Sequence, residues 1–179
     1  RYRMAEANGL KKGDVDITVV GATAGRFAAL KSGTIDATMV LPPYNFLAEA
    51  AGFKNIGLVI DYVKDYPFTG LEVSKPWASA HMDLAKRLLA ALDESAAWFY
   101  VPEHRDDLIK MGAKNFKIDE KEAGQSLDFL RKIQYFAPTS KVSAKDLDAL
   151  IKVMHDSGDV SNPITAKDLV MPGLTELTE

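Results

Sequence analysis

The sequence predicts an α/β protein in which a partial parallel sheet, covered by helices, is followed by a mainly helical region. Residues 1–60 alternate short β-branched segments with helical patterns about every ten residues, which favours parallel strands joined by helices. After residue 74, apolar residues recur at helical spacing almost throughout, which indicates helices that each bury one face. The composition changes between these parts, at residues 61–74.

Short apolar segments and glycines define the elements of the first part. Three β-branched or apolar segments are predicted strands: 16–21, 35–41 and 56–62. Three helical patterns end at glycines, a common helix stop: 2–10, 23–33 and 43–52. In open parallel sheets, ligands bind beyond the carboxyl ends of the strands, which here means residues 21–23 and 41–44.

The second part opens with a predicted strand and loop at residues 67–79 and continues as helices. The predicted helices are 82–100, 104–112, 119–136 and 143–158. Gly112 is interpreted as a helix stop, Ser143 as an N-cap and Gly158 as a C-terminal stop. The first of these helices carries a stripe that we expect to be buried: Leu84, Leu88, Ala91, Leu92, Ser95 and Phe99.

Composition excludes several classes of function. The net charge is −3 and no basic stripe occurs, so nucleic acid is not an expected partner. There is no cysteine, which excludes thiol catalysis and disulfides. No run of about 18 apolar residues, the length of a membrane-spanning helix, is present.

The sequence has no recognisable catalytic or metal-binding set. The three histidines, His81, His104 and His155, have no partner at metal-ligand spacing, and no nucleophile elbow or Walker loop occurs. Asp14, Asp16 and Asp36 suit a turn and a strand start better than a metal site. We therefore predict no metal and no cofactor.

Two segments are candidate ligand sites. The segment GATAG (residues 21–25) lacks the full dinucleotide and P-loop patterns, so a plain strand-to-helix turn is favoured. A nucleotide site, or an anion bound at the helix N-terminus near Thr23, stays open. Pro42 and Pro43 would end a strand and open a helix, which places Tyr44 where a ring can stack on a ligand.

Residues 26–57 contain a succession of short motifs: Ala28-Ala29-Leu30, Ser32-Gly33, Ile35-Asp36-Ala37, Pro42-Pro43 and Ala51-Gly52-Phe53-Lys54. With these motifs the segment resembles the periplasmic substrate-binding proteins of ABC importers, in the nitrate, sulfonate, taurine and thiamine-pyrimidine-precursor group. Weaker similarity extends over most of the chain, although Met82 stands where the group usually has proline.

The resemblance implies a type II periplasmic-binding-protein-like fold, in which two α/β lobes close on a solute like a Venus flytrap. It assigns residues 1–60 to the remainder of the second lobe, 61–74 to the hinge return strand and 75–179 to a helical part of the first lobe. Because the chain opens at Arg1 inside a helical pattern, we expect it to lack the front of the first lobe. An unpaired sheet edge would then favour a homodimer.

The implied ligand-binding residues are Gly21, Thr23, Pro42, Pro43, Tyr44, Phe68 and Thr69. Arg26 matches a position that is often basic, and its guanidinium would be able to pair with an anionic ligand.

The implied function is the extracytoplasmic solute-binding component of an ABC-type importer, without enzymatic activity. It would bind a sulfonate, pyrimidine or aromatic acid in an interlobe cleft, and its partner would be a membrane permease. It would be periplasmic or lipid-anchored. Two alternatives stay open: a ligand-sensing domain of a transcription regulator, and a pyrimidine-precursor biosynthetic enzyme, although that enzyme's cysteine-rich motif is missing here.

Overall fold

The computed structural model describes residues 2–63, 67 and 70–179, and in these residues the chain is mostly helical. The helices are α1 (Tyr2–Ala7), α2 (Thr23–Lys31), α3 (Tyr44–Ala50), α4 (Val59–Tyr62), α5 (Lys75–Ala80), α6 (Met82–Tyr100), α7 (Arg105–Phe116), α8 (Glu120–Lys132), α9 (Ala144–Ser157) and α10 (Ala166–Leu169). Short 3₁₀ turns lie at Lys12–Asp14 and Pro102–His104. Strands β1 (Val142–Ser143) and β2 (Leu177–Thr178) pair in parallel, with Val142 opposite Leu177. The fold is thus mixed α/β with a small parallel sheet.

The chain divides into two compact units. Unit 1 comprises Arg1–Val63 and Arg105–Tyr135, and unit 2 comprises Lys64–His104 and Phe136–Glu179. The expected assignment of segments to the lobes of a binding protein stays a prediction.

The core of unit 1 is centred on the packing of α7 against α8. Ile109 is buried on α7, and Ala123 and Leu127 are buried on α8. Gly112 and Gly124 lie at the contact: a Cβ at Gly112 would lie 3.6 Å from the Cβ of Ala123. Small residues therefore line the contact between the two helices, and a Cβ at Gly112 would be accommodated there at ordinary van der Waals distance.

An aromatic contact connects α3 to α8. The rings of Phe46 and Phe129 meet edge to face, with their centroids 5.9 Å apart. Leu30 of α2 and Ala48 of α3 are also buried, so α2 and α3 contribute to the same unit.

The three strands predicted in the first part are wrong for the described residues. Residues 16–20 and 37–41 lack regular secondary structure, and residues 59–62 form α4. A strand needs the backbone of a neighbouring strand as a hydrogen-bond partner, and in the described residues these segments form no such ladder. Residues 59–62 turn helical because the Asp61 carboxylate accepts from the Leu58 N–H, 3.2 Å away, and so caps a local turn.

Most predicted helices are confirmed, with three corrections. Helices α1, α2, α3, α6 and α9 lie where the sequence places them. Gly112 does not stop α7, which continues to Phe116. Helix α8 ends at Lys132 rather than residue 136, because the chain turns through positive φ at Gln134. The predicted loop before residue 80 contains the short helix α5.

In unit 2, both predicted caps of α9 are confirmed. The Ser143 hydroxyl accepts a hydrogen bond from the Asp146 N–H at 3.1 Å, and Gly158 adopts a φ of 83°. The Tyr100 hydroxyl donates to the Phe136 carbonyl at 2.7 Å and accepts from the Phe136 N–H at 3.0 Å, so it fastens the end of α6 to the chain after α8.

The stripe that the sequence predicts to be buried on α6 is largely exposed. Leu84, Leu88 and Leu92 are 50%, 40% and 44% exposed, and Ala91 and Ser95 are exposed as well. The buried side of α6 is instead the face that carries Ala85, Leu89 and Ala96, of which Ala85 is the most buried. Helical periodicity reveals an apolar face, but it does not say which of two apolar faces the fold covers.

Candidate functional site

The Arg26 guanidinium links the two loops that the sequence predicts to bind ligand. Its Nη1 donates to the Gly21 carbonyl at 2.9 Å, and its Nη2 donates to the Thr23 hydroxyl at 3.0 Å. Its Nε donates to the Met39 carbonyl at 3.0 Å, three residues before Pro42. A planar guanidinium can hold several acceptors in a fixed geometry, so Arg26 holds the two loops together.

Arg26 thus has a different immediate role from the one expected. The sequence suggested a surface cation that could face an anionic ligand, whereas three of its N–H groups already bind this chain's own oxygens. The signal for this role is weak in the sequence, because the carbonyl of Met39 becomes a partner only through the tertiary fold.

The turn before α2 depends on two glycines. Gly21 has a φ of 83°, which favours glycine. A Cβ at Gly25 would lie 2.9 Å from the carbonyl oxygen of Val20, so only glycine allows the first turn of α2 to approach the preceding segment this closely. The importance of Gly25 for this approach was not predicted.

Among the residues that the structure describes, no side chain caps the N-terminus of α2. Ala22 occupies the N-cap position, and its carbonyl accepts from the Arg26 N–H at 3.0 Å. The N–H groups of Thr23, Ala24 and Gly25 therefore have no acceptor within the helix. Such groups, together with the helix dipole, favour negative charge.

The loop at Pro42 and Pro43 leads into α3 as predicted. The Pro42–Pro43 peptide bond is cis, Pro43 is the buried N-cap residue, and the Tyr44 N–H donates to the Leu41 carbonyl at 2.9 Å. The half-buried Tyr44 ring lies 5.6 Å from the ring of Phe27 on α2. The aromatic pair thus connects the two helices whose N-terminal loops form the candidate site.

Asn45 carries a polar atom without a partner. Its side-chain oxygen is buried and has no hydrogen-bond partner among the described residues, although the residue as a whole is only half-buried. A buried acceptor without a partner costs free energy unless water or a ligand satisfies it.

The structure therefore brings five predicted ligand-binding residues into one region of unit 1, held by Arg26 and Phe27: Gly21, Thr23, Pro42, Pro43 and Tyr44. The other two, Phe68 and Thr69, lie outside the described residues. Ligand binding by all seven stays a prediction.

Two surface depressions lie elsewhere. One, of about 560 Å³, lies on α7 and α8 and is lined by residues of both signs, among them Arg105, Lys110 and Glu120. The other, of about 260 Å³, lies at the start of α9 and α10. Neither depression is lined by any of the five predicted ligand-binding residues that the structure describes.

The first depression contains a two-point ion pair. Arg105 Nη2 lies 2.8 Å from Asp128 Oδ2, and Arg105 Nε lies 3.1 Å from Asp128 Oδ1. Hydrogen bonding from Arg105 lowers the pKa of Asp128 below its ordinary value, and the same bond raises the pKa of Arg105. Both side chains are about half exposed, so the pair orients the two helices more than it stabilises them.

Two of the histidines stack on tryptophans. The His81 ring stacks on Trp77 with centroids 5.0 Å apart, and the His104 ring stacks on Trp98 at 4.3 Å. In each case Nδ1 lies within 3.0 Å of the carbonyl oxygen of the same tryptophan. Both rings therefore have structural partners within unit 2.

Within the ranges that the structure describes, no three His, Asp or Glu side chains are grouped as a metal site would require. In the same ranges, no helix combines the length and the hydropathy that crossing a membrane demands.

Comparison with known proteins gives two matches. Residues 1–113 match the profile of the NMT1-like family. A segment of 110 residues, 60% of this chain, is 34% identical to the bicarbonate transport ATP-binding protein CmpC of Synechocystis sp. (strain ATCC 27184 / PCC 6803 / Kazusa). The match covers 16% of that relative's length. No solved structure matches. Because the family profile covers more than half of the chain, this protein belongs to the NMT1-like family.

Proposed function

We propose that this chain acts as a solute-binding part of an ABC-type importer. Membership of the NMT1-like family and the similarity to a bicarbonate transport protein support a substrate-binding role in ABC transport in general. The observation that carries the proposal is local: Arg26 and Phe27 hold two loops and the Tyr44 ring beside the uncapped start of α2.

The solute is a small organic anion with an apolar or aromatic part. The uncapped N–H groups of α2 favour a carboxylate, sulfonate or similar group. The Tyr44 ring offers a face on which the apolar part can stack. The bicarbonate named for the relative is also an anion, which makes bicarbonate itself the second candidate.

The proposal places the protein outside the cytoplasm, free in the periplasm or attached by a lipid, where it would deliver its solute to a membrane permease. Binding would shift an equilibrium between open and closed arrangements of the binding protein rather than drive a reaction. No catalytic step is required of the residues at the site.

A thermal-shift screen of the purified chain tests the proposal. The panel contains benzoate, an aliphatic sulfonate, a pyrimidine, nitrate and bicarbonate, and calorimetry follows for each compound that raises the Tm. We expect an organic anion to raise the Tm and to be recovered chemically unchanged. Conversion of the compound would indicate an enzyme instead, and a panel without any stabilising compound would contradict the proposal.

The Tyr44→Ala variant tests the site itself. Loss of the stacking ring should weaken binding at least about tenfold, on the order of 1.4 kcal/mol. Tyr44→Phe keeps the ring and should retain most of the affinity. Tyr62→Ala removes a half-buried tyrosine from a different place in unit 1 and is the matched control. Tyr62→Ala should bind the compound as tightly as the parent chain. If Tyr44→Ala also binds as tightly as the parent chain, Tyr44 is not part of the site.

A further inference from the structure

One face of α6 carries an apolar stripe that remains open to solvent in the described part of the chain. Leu84, Leu88 and Leu92 are each at least 40% exposed, and the exposed Ala91 and Ser95 continue the same face. The neighbouring face of α6, around Ala85, is the one that packs within unit 2. An apolar stripe over three helical turns is a typical surface for pairing with another helix.

We propose that this stripe binds a second copy of the same chain, with the two α6 helices antiparallel about a two-fold axis. Leu84, Leu88, Ala91 and Ser95 follow at intervals of four, three and four residues, which is the seam spacing of a coiled coil. A two-fold axis between residues 89 and 90 pairs Leu84 with the partner's Ser95 and Leu88 with the partner's Ala91. Leu84 and Leu88 of each copy then face a small residue of the other copy, so the two helices can interdigitate closely.

The one hydroxyl in this seam is already satisfied. Ser95 Oγ donates to the Ala91 carbonyl of its own helix at 2.7 Å. Burying Ser95 against a leucine therefore leaves its hydroxyl donor paired, and the main cost of placing a polar side chain in an interface is avoided.

Charge favours the antiparallel orientation. Arg87 and Glu94 are exposed and lie seven residues apart on the same flank of the stripe. In the antiparallel pair, the side of one α6 helix that carries Arg87 and Glu94 lies along the same side of the other α6 helix. Each Arg87 therefore lies beside the partner's Glu94. A parallel pair would place Arg87 beside the partner's Leu92 and would form no such ion pair.

The size of the surface sets the expected strength. A single helix pair is small compared with the interfaces of permanent dimers, so we expect a reversible dimer that forms at micromolar concentrations. This inference concerns a different surface from the ligand site and does not depend on the proposed function.

Sedimentation equilibrium of the chain over about a hundredfold range of micromolar concentrations tests the dimer. The parent chain should pass from monomer to dimer, and Leu88→Glu should remain monomeric because it buries a charge in the seam. Leu169→Glu, which alters a 53%-exposed leucine of α10 in the same unit, is the matched control and should still dimerise.

Charge reversal tests the orientation, and it does so with exposed residues that leave the core of unit 2 intact. Arg87→Glu and Glu94→Arg, each alone, create two like-charge contacts in the dimer and should weaken it at least about tenfold. The double variant should restore the parent affinity. A chain that stays monomeric, a dimer unaffected by Leu88→Glu, or a double variant without restored affinity would each overturn the proposal.

Discussion

Replacing Gly112 with alanine changes the stability of the protein in opposite directions if Gly112 ends α7, as the sequence pattern suggested, and if it lies inside α7, as in the structure. If Gly112 ended α7 in a left-handed conformation, as the pattern suggested, the added Cβ would destabilise the protein by about 1 kcal/mol. In the structure, Gly112 lies inside a helix of 12 residues that ends at Phe116. Alanine should therefore stabilise the chain.

The magnitude follows from two contributions. Alanine is favoured over glycine in a helix interior by about 0.8–1.0 kcal/mol. The new Cβ would lie 3.6 Å from the Ala123 Cβ, which is ordinary van der Waals contact and adds a small apolar burial without strain. We expect a total of about 1 kcal/mol, which raises the Tm by about 2–4 °C for a chain of this size.

Thermal unfolding followed by circular dichroism measures the effect. Gly158→Ala is the matched control, because Gly158 ends α9 with a φ of 83° and alanine there should lower the Tm. A fall in Tm for Gly112→Ala comparable with that for Gly158→Ala would refute the packing of α7 against α8 described here.

Two further substitutions test local features. Ser143→Ala removes the N-cap hydroxyl that accepts from the Asp146 N–H, and it should destabilise the chain by about 1 kcal/mol in urea unfolding, whereas Ser143→Asp should retain the stability. Asp128→Asn should lower the Tm slightly at neutral pH, because it removes the ion pair with Arg105. The pKa of Asp128 is lowered in the folded chain, so the carboxylate stabilises the fold fully above the ordinary Asp pKa of about 4. This stabilisation is lost as the pH falls through the lowered pKa. The Tm difference from the parent chain should therefore shrink in acid, and a difference that grows in acid would contradict the ion pair.

The sequence predicts helices well where the signal is local. Ser143 and Gly158 bound α9 because a cap is a property of a few neighbouring residues. The strands at 16–21 and 35–41 were not found, because a strand depends on a partner that can lie anywhere else in the chain. Gly112 shows the same limit, since glycine serves both as a helix stop and as a small contact residue.

The candidate site likewise has features that follow from the local sequence and features that depend on tertiary contacts. The positions of Gly21, Thr23 and Tyr44 follow from the order of turns and helices, and the structure brings them into one region. The bond from Arg26 to the Met39 carbonyl and the approach of Gly25 to Val20 depend on how distant segments meet. No residue pattern encodes a particular backbone carbonyl as an acceptor.

The segment 17–20 has a consequence for the behaviour of the protein in solution. It is a run of β-branched residues that pairs with no strand among the described residues, and its Val19 is 89% exposed. Exposed segments of high β-propensity favour self-association into fibres. Asp14 and Asp16 precede it and act as charged gatekeepers, because like segments from different molecules then repel each other. High salt screens these charges and therefore promotes precipitation, whereas a buffer of moderate ionic strength preserves the repulsion between copies of the segment.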